Sequence, residues 1–130
     1  MRAGARDAFA ALLPTIERVQ GREHLDTLSA RHELAYWTGE AGDAAEARNA
    51  FAALLPIIER VQGPEHPAAL RARQQLARWT ALTGNVDGAL DHFAALLPVR
   101  ERILGPDHPE TLATRASLVH WTGVRRDSAS

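Results

Sequence analysis

The sequence predicts an all-α protein, a solenoid of antiparallel helix pairs with about six helices. The segment FAALLP occurs at 9–14, 51–56 and 93–98, and a 42-residue interval separates successive copies. The same interval relates the three tryptophans, which are Trp37, Trp79 and Trp121. Within each copy, apolar residues recur every three or four positions, as in amphipathic helices. Self-similarity at a fixed period is the signature of a repeat architecture.

The composition limits the possible partners and cofactors. With 130 residues, the chain has the size of one domain, so residues 1–130 are predicted to form a single unit. The chain has no cysteine, which excludes disulfides and thiolate metal sites. The 15 basic and 16 acidic residues nearly cancel, so we expect no nucleic-acid partner. Because the sequence also shows neither a membrane span nor a signal peptide, we expect a cytoplasmic protein without membrane contact.

The first helix is predicted at 4–20, where it corresponds to the second helix of a pair that lacks its first. The clearest complete repeat follows at 26–67. Its first helix is expected to end before Gly42, since glycine tolerates the positive φ of a helix C-terminus. Asp43 is then a natural N-cap for the second helix, and Glu46 completes a capping-box pattern.

The second helix of this repeat carries an apolar stripe formed by Ala47, Phe51, Leu54, Leu55, Ile58 and Val61. Gly63 and Pro64 are expected to end it, and Pro67 fits the first turn of the next helix. A second repeat is predicted at 68–109. The remaining residues are predicted to form a single first helix at 110–122 and a charged tail at 123–130.

The order of residues in this repeat resembles the tetratricopeptide pattern, in which a large apolar residue with a small one beside it is followed by a glycine, an alanine, an aromatic residue and a last core position. The residues that carry the resemblance are Leu34, Ala35, Gly42, Ala47, Phe51 and Leu54. The 42-residue length resembles the long variant found in kinesin light chains and in many bacterial regulators. The resemblance implies a superhelical module that binds proteins and has no catalytic activity. It also suggests, as an alternative, a sensor fragment of a larger bacterial ATP-dependent signalling regulator.

Each predicted second helix contains a proline, at Pro14, Pro56 and Pro98. A proline in a helix interior removes a backbone hydrogen bond and crowds the preceding turn, at a cost of about 3 kcal/mol. The apolar spacing continues beyond each proline, which favours one long kinked helix over two short ones. Both alternatives give the prolines an architectural role.

The repeated histidines, His24, His66 and His108, do not predict a metal site. Packed helices lie about 8–10 Å apart, so equivalent residues of successive repeats cannot share one ion. We expect these histidines to cap or brace the turns between helices, and the tryptophans to belong to the core. No catalytic or phosphate-binding motif occurs, so the sequence predicts neither an enzyme nor a cofactor.

Residues that differ between repeats are the better candidates for binding, because the repeat itself does not need them. By the family resemblance, the first helix of each pair lines a concave groove. The predicted groove residues are Ser29, His32, Tyr36, Arg71, Gln74, Arg78 and His120. Arginine favours bidentate contacts with carboxylates, so an acidic or C-terminal peptide is the expected guest. The alternative is a solvated polar face without a specific ligand.

The two outermost helices lead to a second hypothesis, a self-assembling structural element. In these 130 residues, the outer side of 4–20 and that of 110–122 have no neighbouring helix to cover them. Part of the apolar surface of Leu112, Leu118, Val119 or Trp121 should therefore remain exposed. We expect a homodimer that forms through the end helices, most simply with two-fold symmetry.

Overall fold

The computed structural model describes residues 2–129, which form six α-helices in this range. The helices are α1 (Arg2–Gln20), α2 (Leu25–Glu40), α3 (Ala44–Gln62), α4 (Pro67–Leu82), α5 (Val86–Leu104) and α6 (Pro109–Ala129). Each helix packs against the next one in sequence, and α2 also contacts α4 directly. The predicted all-α solenoid and its number of helices are confirmed.

The three histidines cap the first helix of each pair, as the sequence predicts. The Nδ1 atoms of His24, His66 and His108 each accept a hydrogen bond of 3.1 Å from the backbone N–H two residues further on. Side chains also cap the second helices. Asp43 accepts a hydrogen bond from the N–H of Glu46 at 3.1 Å, and Asn85 caps α5 in the same way.

Glycines with positive φ separate the two helices of each pair. Gly42 has φ of 108° and Gly84 has φ of 99°, a conformation that glycine adopts without steric cost. The residue 42 positions after Gly84 is Arg126, and there the helix does not end. Instead α6 continues to Ala129, so the predicted helix end at 122 and the predicted tail at 123–130 are wrong as far as residue 129. Ser130 lies outside the described residues.

The helices α1, α3 and α5 continue through their prolines without a break. Pro14, Pro56 and Pro98 all lie inside these helices, each of which has 19 residues. The alternative of two short helices separated at the proline is therefore wrong. In α3 the buried stripe continues from Phe51 and Leu54 across the proline to Ile58, so both halves of that helix pack on the same core.

Replacing Pro56 with alanine tests the role of the proline in α3. The substitution restores a backbone N–H that can donate to the carbonyl of Ala52, so helicity should stay constant or rise. Far-UV circular dichroism measures this directly. A loss of helical signal in Pro56→Ala would show that the proline starts a helix instead of interrupting one.

The main core lies between α2, α3 and α4. Its largest fully buried side chains include Phe51 and Leu54, which are 0% and 1% exposed. Trp79 is also buried, as predicted, and packs directly over Gly39. A Cβ atom at position 39 would lie 2.4 Å from the Trp79 ring, so α2 and α4 approach closely only because residue 39 is glycine. Trp37 and Trp121 are half-buried.

A charged residue occupies a core position in α5. Arg100 stands 42 residues after Ile58, and the two side chains are 3% and 2% exposed. The Arg100 guanidinium donates to Gln74 Oε1 at 3.1 Å and to Thr114 Oγ1 at 2.9 Å. It also donates to the carbonyl oxygen of Glu110 at 3.2 Å. The contact between α4, α5 and α6 therefore contains a buried polar network around Arg100, whereas the equivalent contact between α2, α3 and α4 is apolar around Ile58.

Candidate peptide-binding surface

The seven predicted groove residues all lie on α2, α4 and α6, and their positions define what we call the first-helix surface. Side-chain contacts join these helices into one layer. Trp79 of α4 packs over Gly39 of α2, and Thr114 of α6 donates to Gln74 Oε1 of α4 at 3.1 Å. The first-helix surface is therefore continuous across the three helices.

A cavity of about 200 Å³ opens on this surface between α2, α3 and α4. Its lining consists of Leu28, Ser29, His32, Glu33, Ile58, Gln62, Ala68 and Arg71. Three of the predicted groove residues, Ser29, His32 and Arg71, meet at this cavity. Its floor includes the buried Leu28 and Ile58, so the site combines an apolar base with polar and charged walls.

His32 forms one wall of the cavity. Its ring packs edge-on against Phe51, with 5.0 Å between ring centroids. Burial lowers the pKa of His32; the negative charge of Glu33 opposes this shift, and the positive charge of Arg71 adds to it. The imidazole is therefore neutral at neutral pH, where it can both donate and accept a hydrogen bond.

Arg71 supplies a positive charge at the mouth of the cavity. The side chain is exposed, and within residues 2–129 it forms no ion pair. Arg78 differs, because it forms an ion pair with Glu40 at 2.7 Å and lies 4.4 Å from the centroid of the Trp79 ring. Of the two arginines predicted for the surface, Arg71 is the one that can receive a carboxylate without breaking an existing ion pair.

Gln74 is engaged inside the protein. Its side-chain oxygen accepts hydrogen bonds from Arg100 and Thr114, and its amide nitrogen lies 3.4 Å from the hydroxyl of Ser117. The residue 42 positions earlier is His32, which lines the cavity. Gln74 therefore holds α4, α5 and α6 together at the place where the equivalent residue of the preceding repeat faces a cavity.

The other three predicted residues lie away from the cavity. Tyr36 packs edge-on against Trp37, with 5.1 Å between centroids, and lies beside Arg78. His120 is exposed on α6 and packs against Trp121 at 4.7 Å. The structure thus divides the seven residues into a cavity group, an aromatic group around Arg78, the buried-network residue Gln74 and the separate His120.

A second cavity, of about 380 Å³, lies between α1, α2 and α3. Its lining includes Leu13, Arg31, Leu34 and Glu46, and none of the seven predicted residues contributes to it. No motif in the sequence indicates this cavity. Its lining residues sit at ordinary repeat positions, and only the way α1 and α3 lie over α2 brings them together.

Within residues 2–129, no group of three or more histidine and acidic side chains is placed to hold a metal ion. None of the six described helices has the length and apolar character that crossing a membrane requires.

Known proteins resemble this chain in sequence and in fold. A family model of the tetratricopeptide repeat matches residues 33–94. A solved structure from Podosopora anserina, of a protein assigned as a kinesin light chain with nearly identical TPR-like repeats, aligns over 98% of the chain with a TM-score of 0.75 and 23% identity. A single-substitution variant of that protein aligns with a TM-score of 0.77 at the same identity. A search of curated proteins gave no match.

The fold and its repeated capping pattern define a helical repeat solenoid. Residues 33–94 match the tetratricopeptide repeat family model, and the two solved structures share the fold of the chain. Proteins of this family generally mediate protein–protein interaction and are typically non-catalytic. The chain spans 62% of the length of the two solved structures that it matches.

Proposed function

We propose that this protein is an interaction module that binds an acidic peptide segment on its first-helix surface and catalyses no reaction. The observation that carries the proposal is the cavity between α2, α3 and α4. Arg71, an arginine without an ion-pair partner in the described residues, stands at its mouth. The guest is a carboxylate, supplied by an aspartate, a glutamate or the C-terminus of a peptide.

The groups around the cavity suit this guest. The Arg71 guanidinium can donate two parallel hydrogen bonds to one carboxylate. Ser29 and the neutral His32 add donors to the lining, and the buried Leu28 and Ile58 offer apolar contact to the guest's aliphatic carbons. Glu33 lines the same cavity and repels negative charge, which offsets part of the attraction of Arg71 and disfavours a guest with several carboxylates.

Replacing Arg71 with alanine tests the proposal. Peptides are first selected on the wild-type protein from a displayed random library, and their affinities are then measured by fluorescence anisotropy. Loss of a charge-assisted hydrogen-bond donor costs about 1.5–3 kcal/mol, so Arg71→Ala should weaken binding by about 10- to 100-fold. Amidation of the guest's carboxylate should have a similar effect, and binding should weaken as salt rises.

The matched control is Arg48→Ala, since Arg48 is an exposed arginine on α3 outside the cavity lining. This variant should bind the selected peptides with unchanged affinity. Equal losses in the two variants would indicate non-specific charge attraction. Unchanged affinity in Arg71→Ala would show that the cavity is not the binding site.

A further inference from the structure

We infer that copies of this protein associate head to tail, with α1 of one molecule packed on α6 of the next. In this arrangement, α1 takes on α6 the place that α5 takes on α4 within one molecule. The inference concerns surfaces that the proposed peptide site does not use. It rests on two apolar faces and one pair of charges, each of which has an equivalent inside the molecule 42 residues away.

The first apolar face belongs to α6. Leu112 is 46% exposed, whereas its equivalent in α4, Leu70, is 2% exposed. Val119 is 70% exposed, whereas its equivalent, Ala77, is fully buried in a cluster that includes Phe93 of α5. The helix that follows α4 contributes Phe93 to the cover of Ala77, and within residues 2–129 no helix follows α6. The exposed face of α6 therefore corresponds to a surface that binds a second helix of a pair.

The second apolar face belongs to α1, which corresponds to α3 and α5. Leu12 is 55% exposed, whereas its equivalents Leu54 and Leu96 are 1% and 0% exposed. Phe9 is half-buried, whereas its equivalent Phe51 is fully buried. The core around Leu54 of α3 contains residues of the preceding helix, α2, and of the following helix, α4. Helix α1 packs on its following helix, α2, but residues 2–129 contain no helix before α1. The face of α1 that lacks cover is the one that the preceding helix covers in α3.

The charges along the stack give this contact its direction. Arg60 of α3 forms a bidentate ion pair with Glu23, with both N–O distances at 2.7 Å. One repeat later, Arg102 pairs with Glu65 in the same way. By the 42-residue spacing, the equivalent of Arg60 on α1 is Arg18, and the equivalent of Glu65 before α6 is Asp107.

Neither Arg18 nor Asp107 has an ion-pair partner in the part of the chain that the structure describes. When α1 of one copy packs on α6 of another in the repeat register, Arg18 and Asp107 become that missing pair. A second copy therefore supplies both apolar cover and an ion-pair partner to the exposed ends, although Val119 is larger than the alanines at its equivalent positions.

This arrangement differs from the two-fold dimer that the sequence analysis expects. A two-fold contact of α6 with α6 would leave Arg18, Asp107 and the face of α1 without partners. The head-to-tail contact joins two different surfaces, so it is heterologous and can continue to a third copy. Val119 distinguishes the two contacts, because its equivalents Ala35 and Ala77 are small where the next helix approaches closely.

The test combines two variants that each destroy one surface. Leu12→Asp blocks the face of α1, and Leu112→Asp blocks the face of α6. Both side chains are about half exposed, so both variants should fold, which circular dichroism verifies. In sedimentation velocity, each variant alone should remain monomeric. An equimolar mixture should form a one-to-one dimer, because Leu12→Asp retains its α6 face and Leu112→Asp retains its α1 face.

Two outcomes would overturn the inference. A wild-type protein that stays monomeric over a hundredfold concentration range, up to about millimolar, excludes association through these faces. Dimers of Leu12→Asp alone, without any gain on mixing, would indicate the two-fold contact of α6 with itself.

Val119→Ala provides an independent test, because it should change the association affinity in opposite directions for the two arrangements. Overpacking is relieved in the head-to-tail contact, so the substitution should tighten association by about fivefold or more. In a two-fold contact of α6 with itself, it should weaken association, because apolar area is lost. Weaker association of Val119→Ala would contradict the repeat register proposed here.

Discussion

Replacing Phe51 with alanine should lower the free energy of unfolding by about 3–5 kcal/mol, the usual cost of deleting a large buried aromatic side chain. Phe51 is 0% exposed and lies in the central core, with α2 on one side and α4 on the other. Neither neighbour can collapse into the space without disturbing its own packing. Urea denaturation followed by circular dichroism measures the loss.

The repeated sequence supplies two controls for this measurement. Phe93 is equivalent to Phe51 and is 1% exposed, so Phe93→Ala should cost a similar amount. Phe9 is half-buried on α1, and Phe9→Ala should cost distinctly less, because a terminal repeat has one interface in place of two. Equal losses for Phe9→Ala and Phe51→Ala would contradict the order of helices described here.

Replacing Arg100 with alanine should lower the free energy of unfolding by about 3 kcal/mol. The buried guanidinium donates to Gln74, Thr114 and the Glu110 carbonyl, so its removal takes one donor from each of these groups and leaves a cavity. The Glu110 carboxylate is 44% exposed and remains solvated after the change, which keeps the expected loss at the lower end for buried charges. The free energy of unfolding of Arg100→Ala measures the effect.

A double substitution provides the control. Arg100→Ile combined with Thr114→Ala introduces the residues that the first repeat contact uses, Ile58 and Ala72. Apolar groups of suitable size often replace a buried charge without loss, so the double variant should recover most of the stability. If Arg100→Ala alone left the stability unchanged, the polar network would contribute nothing to holding α5 and α6 on α4.

The sequence predicted the fold well because each element has a local chemical cause. The histidine caps, the Asp43 cap and the glycines with positive φ all act within a few residues, so their pattern can be read directly from the sequence. The end of α6 shows what happens when such a local signal is missing. Arg126 stands where Gly42 and Gly84 stand in the earlier repeats, and without a glycine the helix runs on to Ala129.

The candidate site was harder to predict, because its residues depend on contacts between repeats. The buried network that engages Gln74 arises from Arg100, an arginine where the preceding repeat has isoleucine. That departure is visible in the sequence, but only the packing of α6 shows that the side chain turns inward. The ion pair of Arg78 with Glu40 likewise joins α4 to α2 across 38 residues of sequence.

The proposed binding of an acidic segment at the α2–α3–α4 cavity is tested most directly by nuclear magnetic resonance. The isotope-labelled protein is titrated with a selected acidic peptide, and amide chemical-shift changes are mapped onto the structure. We expect the largest changes at Ser29, His32 and Arg71, with small changes along the exposed side of α5. Changes concentrated on α1, α5 or the end of α6, with the cavity residues unaffected, would contradict the account.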